Sequence, residues 1–150
     1  MPLQHGGLVI EVPDGWADRS SLLFVAPREP STLPSAVKVE EPTESLSVRF
    51  ESVDPETTAM SLLEDEHARF VATVGIEPEV VEDAAFVCPL GAGRQRIQKI
   101  ALGGAPLRQI CVAVVVGKVA VLATATAGEA RFARVKPQLE RALAGLRCAR

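Results

Sequence analysis

The stretch Leu8-Val-Ile-Glu-Val-Pro-Asp-Gly-Trp-Ala-Asp-Arg-Ser-Ser-Leu-Leu-Phe24 predicts a strand, a turn and a second strand around the only tryptophan of the chain. Apolar residues occupy every second position from Leu8 to Val12, as on one face of a strand. Pro13-Asp14-Gly15 provides turn residues, and Trp16 can close one end of a hydrophobic core. This stretch predicts a fold and suggests no catalytic centre.

The composition indicates one globular domain. A chain of 150 residues with 47% hydrophobic residues can bury a substantial core, so we expect a single domain over residues 1–150. No apolar run approaches the roughly 20 residues that span a bilayer. The first residues, Met-Pro-Leu-Gln-His-Gly-Gly, lack the basic and apolar regions of a secretory signal, which predicts a cytoplasmic protein that is not inserted into a membrane.

The three cysteines, Cys88, Cys111 and Cys148, are far apart and include no Cys-x-x-Cys pair. Their number and spacing predict neither a disulfide framework nor a zinc site. We expect Cys88 and Cys111 to be small buried apolar residues and Cys148 to be an exposed thiol.

Charge is distributed unevenly along the chain. Residues 1–83 hold 17 of the 19 acidic and 5 of the 16 basic residues, a net charge of -12, and the remainder carries +9. Two interpretations are open: the two halves neutralise each other within one fold, or the basic half binds an anionic partner. No aromatic residues are interleaved with the late basic residues to stack on bases, so a nucleic-acid partner is not expected.

Four prolines among Ser, Thr and Glu predict a long loop over residues 27–45. Leu46, Val48 and Phe50 then alternate with polar residues, as in a half-buried strand. A capping Asp54 followed by a proline predicts a helix over residues 55–74, which Gly75 can end in a left-handed conformation.

The rest of the chain predicts a meander followed by a helix. Strands are expected over residues 77–81, 84–89, 94–102, 107–116 and 119–126, with glycine-rich turns between them. A final amphipathic helix is expected over residues 129–146, kinked or restarted at Pro137. The sum is an α+β domain in which an antiparallel sheet of about six or seven strands packs with two main helices.

The predicted strands 107–116 and 119–126 are apolar on both faces, which a sheet tolerates only when both faces are covered. One face carries Ile110, Val112, Val114 and Val116. The other is a shallow surface of small side chains that could admit a helix closely. Either one of the chain's own helices covers this second face, or it forms a groove for a partner.

Residues that could carry chemistry are few. His5 and His67 are the only histidines, neither has a second histidine at metal-ligand spacing, and no nucleophile motif accompanies them. We expect His67 to be a solvated helix position. The acidic pairs lie in polar segments and the glycine runs lack phosphate-binding spacing, so neither an enzyme nor a bound cofactor or metal is predicted.

Several short motifs in order resemble the DcrB-related family of the Mog/PsbP-like fold. They are Val12-Pro-Asp-Gly-Trp16 with Asp18-Arg19-Ser20, the turn Gly103-Gly104, Leu107-Arg-Gln109, and Val121-Leu-Ala-Thr-Ala-Thr126 before the last helix. The resemblance covers almost the whole chain and implies an α/β/α sandwich.

Within that family, the chain is similar to the Eag chaperones and adaptors of bacterial type VI secretion. This resemblance implies a cytoplasmic, non-enzymatic chaperone or adaptor, as a homodimer, that binds an apolar N-terminal helical segment of a secreted effector. The contacts that it suggests lie on the second face of the strand pair and on an early strand: Leu23, Cys111, Ala113, Val115, Ala120, Leu122 and Thr124.

The alternative function is an interaction module that docks an acidic protein or an anionic surface through its basic C-terminal half. Binding in an apolar groove should survive high salt and fail after Ala113→Glu or Leu122→Glu. Docking through charge should instead weaken with salt and with loss of Arg134 and Arg141.

Overall fold

The computed structural model describes residues 2–5, 8–11, 14, 21–25 and 44–147. A small antiparallel sheet consists of β1 (Pro2–His5) and β2 (Leu8–Glu11). The main sheet has six antiparallel strands in the order β3-β4-β8-β7-β6-β5, and two helices pack on it. The strands are β3 (Ser21–Val25), β4 (Ser45–Ser52), β5 (Glu79–Cys88), β6 (Gly91–Leu102), β7 (Ala105–Val116) and β8 (Val119–Gly128), and the helices are α1 (Ala59–Val74) and α2 (Glu129–Ala144). The predicted α+β class is confirmed.

The two helices cover opposite faces of the main sheet. Ile110, Val112 and Val114 of β7 belong to the larger core cluster, in which Phe132, Leu139 and Leu143 of α2 are buried. The intervening residue Ala113 belongs to a second cluster with Leu62 and Leu63 of α1. Because side chains alternate between the faces of a strand, the architecture is an α/β/α sandwich. No helix in the described residues has the length and apolar character needed to cross a membrane.

The first two predicted strands do not pair with each other. β2 pairs with β1 in a register that places His5 opposite Leu8, and β3 pairs with β4 at the edge of the main sheet. The predicted hairpin between residues 8–12 and 20–24 is therefore wrong. The sequence also contains a signal for the pairing of β1 with β2, since Gly6-Gly7 is a pair favoured in two-residue hairpin loops. Trp16 and most of the predicted loop 27–45 lie outside the described residues.

Helix α1 begins later than predicted, at Ala59 instead of Pro55. Thr58 is its N-cap: the Ser61 backbone N–H donates to Thr58 Oγ1 at 3.0 Å, and the Thr58 N–H donates to Ser61 Oγ at 3.1 Å. This reciprocal capping box satisfies the backbone N–H groups of Thr58 and Ser61, whereas a cap at Asp54 would satisfy N–H groups earlier in the chain. The predicted end is confirmed, because Gly75 is left-handed with φ 76° and donates its N–H to the Val71 carbonyl.

The predicted strands 77–81 and 84–89 form one strand, β5. A bulge between Val80 and Glu82 takes up one extra residue, so the acidic pair Glu82-Asp83 does not interrupt the pairing with β6. The three later strands lie where the sequence predicts them. Helix α2 continues through Pro137 to Ala144 as a single element.

Candidate functional site

Helix α1 covers the part of the sheet that the sequence offered as a partner surface. Ala113 and Ala120 are fully buried beneath it, and Leu122 is 7% exposed. Val115 packs against the same cluster. The sequence left open whether one of the chain's own helices or a partner covers this face. At these positions the chain's own helix covers it. No partner can contact Ala113 or Ala120 while α1 stays in place.

A groove remains beside α1, toward the β3 edge of the same sheet face, and encloses about 270 Å³. One wall is α1, and Leu23 of β3 lies on the opposite side. The floor consists of short or polar side chains from four neighbouring strands. The α1 residues are Leu63, Glu66, His67 and Phe70, and the floor residues are Ser45, Ser47, Thr124, Thr126, Gln109, Cys111, Arg96 and Gln98.

Strand register explains why three of the suggested contact residues meet in this groove. Leu23 pairs with Ser47 of β4, Ser47 with Thr124 of β8, and Thr124 with Cys111 of β7. Leu23, Cys111 and Thr124 therefore lie in one row across the sheet. Ser45 and Ser47 are not among the contact residues predicted from the sequence, although they occupy the opposite face of β4 from Leu46 and Val48, which pack in the core.

The next row of the floor is a hydrogen-bonded ladder. Gln98 Nε2 donates to Gln109 Oε1 at 2.8 Å, and Gln109 Nε2 donates to Thr126 Oγ1 at 3.1 Å. Gln98 is buried, so an unpaired amide here would be costly. Many of the hydrogen-bonding groups of the floor are therefore bonded to one another. An apolar surface can cover them with only a small loss of free energy from desolvation.

One ion pair helps to hold α1 on the sheet beside the groove, and a second group of charged residues joins β5 to β6. Arg49 of β4 donates to both carboxylate oxygens of Glu66, and this hydrogen bonding raises the pKa of Arg49 against the opposing effect of burial. Arg96 and Arg94 donate to Asp83 of β5, with Arg96 Nε 2.9 Å from Oδ2. Burial raises the pKa of Asp83, but these two bonds outweigh it and leave the pKa lowered.

His67 is half-buried in the groove wall, so the prediction of a solvated position is wrong. Its Nε2 lies 3.8 Å from Glu77 Oε1, and its buried Nδ1 has no hydrogen-bond partner among the residues that the structure describes. In the described part of the chain, no group of three metal-ligating side chains surrounds this or any other position.

Cys111 is predicted to be an unreactive thiol. Burial raises its pKa to about 11, while a hydrogen bond with Thr124 acts weakly in the opposite direction. A thiolate is the reactive form, so at pH 8 we expect alkylation about 200-fold slower than for an ordinary thiol with a pKa of about 8.5. Iodoacetamide labelling followed by peptide mapping measures this rate at Cys111 alone, with the urea-unfolded protein as the control. Equal rates in the folded and unfolded protein would contradict it.

The acidic and basic halves of the chain interleave at several positions. Arg131 of α2 contacts Glu44 at 2.9 Å, and Asp83 is shared by Arg94 and Arg96. For these three arginines, the interpretation in which the basic half neutralises the acidic half within one fold is therefore the one that applies. Arg134 and Arg141 of α2 are exposed, and none of the acidic residues in the described ranges lies within ion-pair distance of either.

No family model matches the chain, and no curated protein matches its sequence. Several solved structures align with this chain at low sequence identity. PA94 from Pseudomonas aeruginosa, a protein of unknown function described as a putative regulator, aligns at 13% identity with a TM-score of 0.73, covering 100% of this chain and 97% of that one. Cyanobacterial PsbP (CyanoP) from Synechocystis sp. PCC 6803 aligns at 11% identity with a TM-score of 0.54, covering 90% and 95%.

The third structure is LpqN of Mycobacterium tuberculosis, described as involved in cell envelope biogenesis, at 11% identity and a TM-score of 0.48, covering 93% of this chain and 84% of that one. At these identities the comparisons establish a shared fold, of the PsbP type, and no activity. The relationship to the DcrB-related family remains a resemblance in sequence motifs.

Proposed function

We propose that this protein is a non-enzymatic chaperone or adaptor that holds an apolar helical segment of another protein in the groove beside α1. The observation that carries the proposal is the groove itself, which has the apolar residues Leu23 on one side and Leu63 and Phe70 on the other. Glu66 and His67 lie beside these α1 residues, and the floor combines short hydroxyl side chains with longer polar ones. Small residues let a helix backbone approach closely, as in helix pairs within membranes. Such a site shields an apolar helix from water before the helix reaches its destination.

The sides of the groove provide apolar area that a bound helix would bury. Leu23 is 68% exposed, and Phe70 of α1 is half-buried. Burying such surface contributes about 25 cal/mol per Å². The floor does not oppose this burial, because Gln98, Gln109 and Thr126 are already bonded to one another. The charged residues of the lining, Glu66 and Arg96, are paired with Arg49 and Asp83, so the groove suits an uncharged helix better than a charged one.

The finer parts of the proposal depend on the resemblance to the Eag chaperones. They are a cytoplasmic location, a homodimer and a type VI effector as the source of the helical segment. The chemistry of the groove is consistent with a role without catalysis, since the raised pKa of Cys111 keeps its thiol protonated at neutral pH.

A bulky residue on the floor should block the groove without disturbing the core. Ser47 is half-buried in the groove, so Ser47→Trp should fill the space in which a helix would lie. The probe is a fluorescent Leu/Ala peptide of about 20 residues with terminal lysines, and its affinity is measured by fluorescence anisotropy in about 1 M NaCl to suppress charge attraction. We expect Ser47→Trp to weaken binding at least about tenfold.

Ser52→Trp is the matched control, because Ser52 lies on the same strand, is exposed and is not part of the groove. It should bind the probe as the unmodified protein does. Equal affinity of both variants would contradict the proposed site, and no binding by any of the three proteins would contradict the proposed function.

The exposed arginines of α2 favour a second candidate, the docking of an acidic partner. Arg134 and Arg141 are seven positions apart, which places them on one side of the helix. A poly-glutamate peptide is the probe for this alternative. Binding that disappears in about 1 M NaCl and after Arg134→Glu with Arg141→Glu, but survives Ser47→Trp, would favour docking through charge over the groove.

A further inference from the structure

We propose that the outer edge of β3, with which none of the described strands pairs, binds an extended segment of the same partner polypeptide as an added strand, next to the helix in the groove. This inference rests on the proposed function and adds a second surface to it. β3 pairs with β4 on one side and ends the order of the described strands on the other. Its N–H and C=O groups on the outer side are the chemistry that strand addition uses.

The two edges of the main sheet differ in how they are protected. The opposite edge, β5, carries a bulge between Val80 and Glu82 and the exposed acids Glu79, Glu82 and Asp83. Bulges and charges are the features that keep an edge strand from pairing with another chain. β3, with the sequence Ser21-Leu-Leu-Phe-Val25, has neither. Its last three side chains, Leu23, Phe24 and Val25, are 68%, 56% and 58% exposed.

An extended segment of the partner fits this edge better than a second copy of the chain. β3 has five residues and is about 17 Å long, so pairing two copies through it alone buries well under the roughly 1,200 Å² of a stable interface. A segment joined to a helix that already occupies the groove needs much less contact, because the second binding step is intramolecular. Leu23 connects the two surfaces, since it lines the groove and belongs to the edge strand.

The edge also indicates the chemistry of the segment. Leu23 and Val25 face the groove side of the sheet, and Phe24 faces the other side. An added strand would place alternate side chains beside these apolar groups on each face. The segment should therefore be uncharged, free of proline and apolar on both faces, as the edge residues themselves are.

The experiment compares two probes in about 1 M NaCl: the Leu/Ala helix peptide alone, and the same peptide extended at either end by Gly-Ser-Gly-Val-Ile-Val-Ile-Val, which as a strand is apolar on both faces. We expect the extension at one end to tighten binding about tenfold. The test variant is Phe24→Lys, which puts a charge on the edge and leaves the groove lining unchanged. The matched control is Val87→Lys on β5, where Val87 is 74% exposed.

Phe24→Lys should abolish the gain from the extension and preserve affinity for the plain helix peptide, whereas Val87→Lys should preserve both. Hydrogen exchange should show β3 amides protected only with the extended probe. If the helix peptide binds and neither extension changes its affinity, strand addition is overturned while the proposed function stands. If no helix peptide binds, the proposed function is contradicted, and with it the inference that rests on it. Protection of β3 without any probe would overturn the inference: protection that rises with protein concentration would assign the edge to a second copy, and protection independent of concentration would assign it to another segment of the same chain.

Discussion

Ala113→Glu is expected to unfold the protein or detach α1, with a loss of about 4 kcal/mol in the free energy of unfolding. Ala113 is fully buried between β7 and the α1 residues Leu62 and Leu63. A glutamate there would have to displace the α1 side chains that pack on Ala113, and its carboxylate would lose its hydration. Arg94, the cross-strand partner of Ala113, already donates to Asp83, so it could pair with the new carboxylate only by giving up that bond. Urea denaturation followed by circular dichroism measures the effect. From the sequence, this substitution was expected to block binding alone, and the position of α1 corrects that expectation.

The matched control is Val116→Glu, at the end of the same strand. Val116 is 44% exposed, so its carboxylate would stay hydrated and the free energy of unfolding should change by no more than about 0.5 kcal/mol. If Ala113→Glu left the protein as stable as this control, α1 would not pack over Ala113 as described. Leu122→Glu, beneath the same helix, should behave like Ala113→Glu.

Much of the secondary structure could be predicted because its signals are local. The alternation of Leu46, Val48 and Phe50 defines β4, and Gly75 ends α1 where a left-handed residue is required. The predicted start of α1 was wrong because two candidate N-caps, Asp54 and Thr58, lie within five residues of each other. Thr58 and Ser61 together satisfy two backbone N–H donors, whereas Asp54 offers a single side-chain acceptor group. A local sequence pattern alone does not show which of two neighbouring candidate N-caps begins the helix.

Pairing and coverage are harder to predict because they depend on distant contacts. The sequence shows that β7 and β8 need cover on both faces, but not that α1 lies over Ala113 and Ala120 and leaves Thr124 open. The same limit applied to the start of the chain, where β2 had β1 and β3 as possible partners. The polar floor of the groove was missed because Gln98, Gln109 and Thr126 come from three strands and meet only in the folded sheet.

The second large effect is expected at Gly93 of β6, which faces β7 beside Val114. A Cβ atom at Gly93 would lie 2.1 Å from the Ala113 carbonyl oxygen and 3.0 Å from Val114 Cγ2. The first contact is with backbone, so side-chain rotation cannot relieve it, and β6 and β7 would have to separate. Overpacking of this kind costs about 3 kcal/mol. Gly93→Ala should therefore lower the urea midpoint strongly although it adds a single methyl group.

Gly145→Ala is the control that separates this clash from the general cost of replacing glycine. Gly145, which follows α2, has φ −87°, and a Cβ there would meet its nearest atom, the Arg141 carbonyl oxygen, at 3.4 Å. Alanine is compatible with that backbone and restricts the unfolded chain, so stability should stay equal or rise by up to about 1 kcal/mol. If both variants were equally stable, β6 and β7 would not approach each other as closely at Gly93 as the structure requires. Ala113 lies on the neighbouring strand, between this contact and α1. Separation of β6 from β7 at Gly93 should therefore also loosen α1. We expect Gly93→Ala to lower the affinity for the Leu/Ala peptide as well as the stability of the protein.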